Sequence, residues 1–409
     1  MSTPLRKRPP SSKFGAPLFV AGFAEAAGGP EPADAGAPAA SANPARHIVV
    51  AGGGGSGSTG VANRVLVVPV GPGGAVAADP AAELATGAQA CIKGAMAPDG
   101  RGLACGLTGG GLRSYVLAAA AAADGADGAA EGPALAAGAA SDLGKKEATC
   151  VAFTPDGKLV VVGLQGGGLA AFAWPRLERV PGCEAWQGGE VSALAFGPVA
   201  AAAGGGGAGK KKKKGAAAKR RAVALVTAAG DLALWSMEAG GADWRRGEAS
   251  ALPRAAGVAV KGCGFGLGDQ LFTGLNGPKA SFVAKWEAGA GGAKAVGRAR
   301  AFVDGRISAF AAWGSEKSGR SLVAAGSSEG EVRIFDGRNL ATLLKVPKAH
   351  MIFTTDIAFS RDGNAVVSVS ADASATCVPV PAAPRENPEM VLAFLVILLA
   401  FLLYKILNP

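Results

Sequence analysis

The chain has 409 residues, 64 of them glycine, and a formal net charge of +10. Its six cysteines are scattered without C-x-x-C spacing and it has only two histidines, His47 and His350, which argues against a disulfide framework, a cysteine zinc site or a histidine triad. Eight positive charges (Lys210–Lys214, Lys219, Arg220, Arg221) fall in one glycine/alanine tract without interleaved aromatics, and the remainder is near neutral, so the charge balance gives no expectation of nucleic-acid binding.

The N-terminal segment Met1–Pro10 is basic and proline-containing, with no secretory leader pattern. Residues 1–12 read as disordered. A first strand region follows at Lys13–Phe23. Alanine/glycine tracts at 24–46, 118–140 and 200–219 lack large side chains to bury and read as loop insertions.

Between two strand-like runs, His47–Ala51 and Arg64–Val70, stands A-G-G-G-G-S-G-S-T-G-V-A-N at Ala51–Asn63. Gly52 and Gly57 have phosphate-loop spacing, but Ser58 occupies the lysine position. Gly55, Gly57 and Gly60 fit G-x-G-x-x-G, but that fingerprint must open a helix, and a proline-bearing strand follows instead. The remaining alternatives are a loop shaped for close backbone approach and a hairpin loop enlarged by glycine drift.

From Cys91 onward one pattern recurs: short apolar strand, turn, strand, glycine turn, strand. Cys150–Trp174 shows it well, with a T-P-D-G turn at Thr154–Gly157. Related turns occur at Ala97–Gly100 and Ser360–Gly363. Third strands end in aromatics at Trp174, Trp235, Trp286 and Phe335. Trp286-Glu287 and Phe335-Asp336 stand where the W-D pair of WD repeats would fall. The 43 residues from Phe153 to Phe196 suit a four-stranded blade. Six such units plus the glycine-loop unit predict an all-β, roughly seven-bladed WD-repeat-like propeller over residues 13–382.

After a linker at 383–389, Met390–Tyr404 is an unbroken apolar run of 15 residues, extended to 18 by Lys405-Ile-Leu. As a helix it would span roughly 27 Å, about the hydrocarbon thickness of the endoplasmic reticulum membrane. Lys405 and Tyr404 suit the far interface. Residues 390–407 are therefore expected to form one C-terminal transmembrane anchor, with the propeller cytosolic.

Together, V-A-G-G-G-G-S-G-S-T-G-V-A-N-R-V-L-V-V at Val50–Val68, A-H-M-I-F-T-T-D-I-A-F-S-R-D-G-N-A-V-V-S-V-S-A-D at Ala349–Asp372, the blade order and the trailing anchor resemble the membrane-anchored WD-repeat exchange factors of the endoplasmic reticulum that activate Sar-family GTPases, the prolactin regulatory element-binding protein family. Lys13–Phe23 is similar to that family's opening. The insertion at 24–46 and the near-absent tail after the anchor depart from its pattern.

The resemblance implies a guanine-nucleotide exchange factor without covalent chemistry, initiating COPII coat assembly and transport to the Golgi. It implies a GTPase-binding loop of Gly52, Gly53, Gly54, Gly55, Ser56, Gly57, Ser58, Thr59, Gly60 and Val61. Asn63 maps onto the asparagine important for exchange. It further implies a potassium ion held by backbone carbonyls within Gly52–Asn63, the individual ligands being unspecified. The partners would be the Sar-family GTPase, GDP-bound and nucleotide-free, and the membrane. An Asn63 amide that contacts the partner directly would be removable with little effect on the fold. The alternatives are a non-exchanging accessory of cargo exit and a membrane-tethered WD-repeat scaffold.

Overall fold

The computed structural model describes residues 11–24, 46–55, 60–118, 134–183, 186, 188–200, 220–238, 244–246, 257–289, 292–296, 300–302 and 305–382. They form seven antiparallel sheets arranged as a β-propeller. The glycine loop belongs to the first blade, built from β2 (Leu18–Ala24), β3 (Arg46–Gly52), β4 (Arg64–Val70) and β5 (Ala82–Ala85). The second blade begins with β6 (Cys91–Met96), β7 (Gly102–Leu107) and β8 (Gly111–Ala118). The sixth ends with β26 (Thr342–Val346).

Strand alternation explains the stacking. On β3, Val49 and Ala51 pack toward Leu103, Cys105 and Tyr115 of the second blade. Their neighbours Ile48 and Val50 pack the other way, against Val367, Val369 and Cys377 of the seventh. Period-two side-chain direction thus lets one β-branched strand fill two inter-blade cores. All six cysteines are free and buried in such cores. Burial pushes the Cys150 thiol up to about 11 and that of Cys377 up to about 12.

Each innermost strand carries a register shift near its start, between Leu18 and Val20 in the first blade and between Thr354 and Asp356 in the seventh. The residues inside these bulges include hydroxyls that reach the next blade. Ser308 donates to the Thr354 carbonyl at 2.7 Å, and Thr355 to the Leu18 carbonyl at 2.6 Å. Bulges re-aim side chains in this way without breaking the sheet.

The seventh blade is completed by the opposite end of the chain. β1 (Ser12–Lys13) pairs with β29 (Ser374–Pro379), next to β28 (Ala365–Ser370) and β27 (Thr354–Phe359). The Lys13–Phe23 region is therefore two strands in different blades, not one, and Ser12 belongs to the propeller rather than to the N-terminal tail. The tract at 118–140 is likewise not wholly an insertion. β9 (Ala134–Asp142) forms the outer strand of the second blade, where an exposed edge position asks for backbone pairing but few large side chains. The strands on either side of the other two tracts end at Ala24 and Ala200 and resume at Arg46 and Arg220.

Among the described residues, no helix is long and apolar enough to cross a membrane. The linker and the apolar run at 390–407 lie outside the described residues, as does the lysine tract.

Candidate functional site

The loop leaves β3 and re-enters β4 just beyond the last ladder pair, Gly52 with Arg64. Antiparallel connections alternate between the two ends of a blade. This loop therefore shares its end with the β5–β6 connection, which carries the chain to the second blade, and with the β1–β2 connection.

Its base is built by close approach. The Gly53 N–H donates to the Pro17 carbonyl at 3.0 Å. A Cβ on Gly52 would stand 2.0 Å from the Pro17 carbonyl oxygen, and one on Gly53 would stand 2.1 Å from Asn63 Oδ1. Gly53 also has φ of +148°, where a side chain is strained. Gly55 (φ +78°) and Gly60 (φ +70°) have open space around the same position, so their requirement is conformational rather than steric.

Asn63 closes the loop. It is 6% exposed. Its Oδ1 accepts from the Gly55 N–H at 2.9 Å, and its Nδ2 donates to the carbonyls of Gly55 at 2.9 Å and Gly87 at 3.0 Å. Its own carbonyl accepts from the Thr86 N–H at 2.9 Å. Both carboxamide donors are therefore committed to backbone. The β5–β6 connection is anchored in turn: Gln89 Nε2 donates to the Thr108 carbonyl and the Ala90 N–H to Thr108 Oγ1.

Arg64 secures the other flank, with Nη1 3.0 Å from Glu83 Oε1 and Nη2 donating to the Phe14 carbonyl at 3.0 Å. The two side chains of this ion pair are partly exposed, so its own net stabilisation is small, on the order of 1 kcal/mol or less.

The structure thus brings Gly52, Gly53, Gly55 and Asn63 together as a built base. Gly54 is half-buried beside them, and Gly60 and Val61 lead back from the tip. Ser56, Gly57, Ser58 and Thr59 lie outside the described residues. Pro17, Thr86 and Gly87 were not legible as parts of the site, because each meets Gly53 or Asn63 only through a backbone group. Gly87 stands 24 positions from Asn63 with no local pattern linking the two.

The propeller itself has WD-repeat-like features. Trp286 Nε1 donates to the Thr273 hydroxyl at 2.8 Å across the fifth blade, and His350 is buried between the Ser374 and Ser368 hydroxyls. No protein-family model matches the chain, and no curated protein matches it.

Proposed function

We propose that the chain is a guanine-nucleotide exchange factor for a Sar-family small GTPase, acting from the endoplasmic reticulum membrane to initiate COPII coat assembly. The observation that carries this reading is the Asn63 clamp. Glycine drift offers no reason for a buried carboxamide to bind both backbone groups of Gly55 and the next connection as well. A loop held this way is pre-organised, which lowers the ordering cost of inserting it into a partner.

In this reading the tip wedges against the nucleotide-binding region of the GTPase and disturbs the contacts that hold GDP. Tighter binding to the nucleotide-free form weakens nucleotide affinity by the same factor. Asn63 acts as a positioning residue, because its amide is spent on the loop. The glycines admit close backbone approach.

A potassium ion fits the donor chemistry of the loop, which offers neutral backbone carbonyls in its described part. Hard cations take such oxygen ligands. The Gly55 carbonyl accepts one bond from Asn63 and keeps a second lone pair. When bound, the ion would stiffen the loop.

The test is GDP release from a purified Sar-family GTPase by the full chain in liposomes, in potassium and in sodium buffer. Acceleration above the intrinsic rate is expected, with a faster rate in potassium. An intrinsic rate of release with a folded chain rejects the exchange activity and leaves the scaffold alternative.

A further inference from the structure

Four large apolar side chains are exposed among the described residues: Val116, Met351, Ile352 and Phe353. Three of them are consecutive. They lie in the connection from β26 to β27, at the same end of the propeller as the Gly53–Asn63 loop. Only the β1–β2 segment separates the two features. Lys13 Nζ approaches Met351 Sδ at 3.6 Å on one side, and Pro17 receives the Gly53 N–H on the other.

The triad is rigidly mounted. His350, just before it, is 1% exposed and bonded through both ring nitrogens to Ser374 and Ser368. The Met351 N–H donates to Asp372 Oδ2 at 2.7 Å, and the Phe353 carbonyl accepts from the Ser370 hydroxyl at 2.9 Å. With the backbone already fixed, binding here costs the rotamer freedom of the side chains but no ordering of the loop.

The triad is apolar, and charged side chains stand at its edges. The connection from β26 to β27 also carries Lys348, the Lys13 ammonium lies against Met351, and the Met351 N–H meets the carboxylate of Asp372. That carboxylate is already held by Ser374 and the Met351 N–H. An apolar centre rich in Met and Phe inside a polar rim is the anatomy of protein–protein interfaces.

The direction of the chain argues against a bilayer as the occupant. The β28–β29 turn lies at the triad's end, so β29 runs away from it. The described chain then ends just beyond Val380, at the opposite end, and the apolar run at Met390–Tyr404 follows in sequence.

We propose that Met351, Ile352 and Phe353 form a second docking point for the same small GTPase, an apolar anchor beside the loop. This assignment rests on the exchange reading above. The anchor would set affinity for the partner, and the loop would act on its nucleotide site.

The test measures GDP release by the full chain in liposomes against increasing concentrations of purified Sar-family GTPase. The double variant M351S/F353S is expected to raise the half-saturating concentration by about tenfold, the effect of losing an interface hot spot. Val116→Ser, far from this end, is expected to behave as wild type. Independently, nucleotide-free GTPase should protect Met351 of the wild-type chain from oxidative footprinting, a readout that needs no variant to fold. Wild-type half-saturation in the double variant, or an unprotected Met351, overturns the docking assignment while wild-type exchange keeps the loop reading intact. Protection of Met351 by self-association of the chain alone also overturns it. Absence of exchange by the wild type overturns both.

Discussion

Asn63 and Gly55 bond each other reciprocally: Oδ1 accepts the Gly55 N–H and Nδ2 donates to the Gly55 carbonyl, both at 2.9 Å. The side-chain amide thereby stands in for a strand neighbour beyond the point where the β3–β4 ladder ends at Gly52 and Arg64. A direct partner contact by this amide, as the sequence suggested, would compete with bonds it already makes.

Asn63→Ala should therefore affect both fold and function. It leaves the Gly55 N–H, the Gly55 carbonyl and the Gly87 carbonyl without this partner. The expected loss is about 1–3 kcal/mol of stability, the range for an unpaired buried polar group. GDP release should fall by a larger factor than the unfolded fraction explains. Denaturant titration and single-turnover exchange on the same sample separate the two effects. An unchanged denaturation midpoint would show that the clamp contributes nothing.

The two glycines on either side of Gly54 should respond differently to alanine. Gly53→Ala places a Cβ 2.1 Å from Asn63 Oδ1 and 2.6 Å from Asn63 Cα, at φ +148°. Since backbone is among the atoms met, the loop base must move, and a loss above about 2 kcal/mol is expected. Gly55→Ala meets no atom within 4 Å at φ +78°. Only the left-handed backbone term remains, about 1–2 kcal/mol. Equal midpoints for the two variants would contradict this ordering.

The propeller was legible where local rules are strong. In the T-P-D-G turn, Thr154 Oγ1 bonds Asp156 Oδ1 at 2.7 Å and Gly157 takes φ of +67°, as the residue types suggest. β9 was not legible, because A-L-A-A-G-A-A-S-D has one leucine and no β-branched residue, and its strand is imposed by pairing with β8. β1 was hidden for a different reason. Its two residues acquire meaning only from Ala375 and Ser374 at the far end of the chain. The loop's composition was visible, but its clamp was not, since Gly87 and Pro17 act through backbone atoms that any residue carries.

The lysine tract should be dispensable for the fold. The β14–β15 ladder, strands Val191–Ala200 and Arg220–Thr227, still pairs Ala200 with Arg220 at its end. The tract thus closes a hairpin whose strands are already set. Replacing Gly204–Lys219 with a short glycine/serine linker shortens the closed loop, and each halving of loop length changes closure by only about 0.6 kcal/mol. A midpoint within about 1 kcal/mol of wild type and an unaltered exchange rate are expected. A large drop in either would mean that the tract packs on the propeller or meets the partner.

Asp356 should make stability depend on pH in a direction opposite to most carboxylates. It sits on β27, half-buried, with Oδ2 accepting the Ala21 N–H and Oδ1 the Ile357 N–H, each at 2.9 Å. Burial pushes its carboxyl up to about 6, against the lowering effect of the two N–H groups and the nearby Lys93 ammonium. An unfolded aspartate titrates near 3.9. Between those values the native state holds the proton more tightly, so this group's stabilisation is complete below about pH 4 and is lost as pH rises through about 6. Asp362 and Asp372 work the other way. Despite burial, their hydrogen bonds hold them below the usual range, and their contributions fade as pH falls. The whole-protein profile mixes these terms, so the informative quantity is a difference. The denaturation midpoint of wild type minus that of Asp356→Asn should decline from pH 4 to about 6.5 and level off above 7.5. The asparagine keeps one acceptor and does not titrate, which isolates the proton. A flat difference across that window would place the carboxylate in contact with solvent and remove it from the inter-blade bond to Ala21.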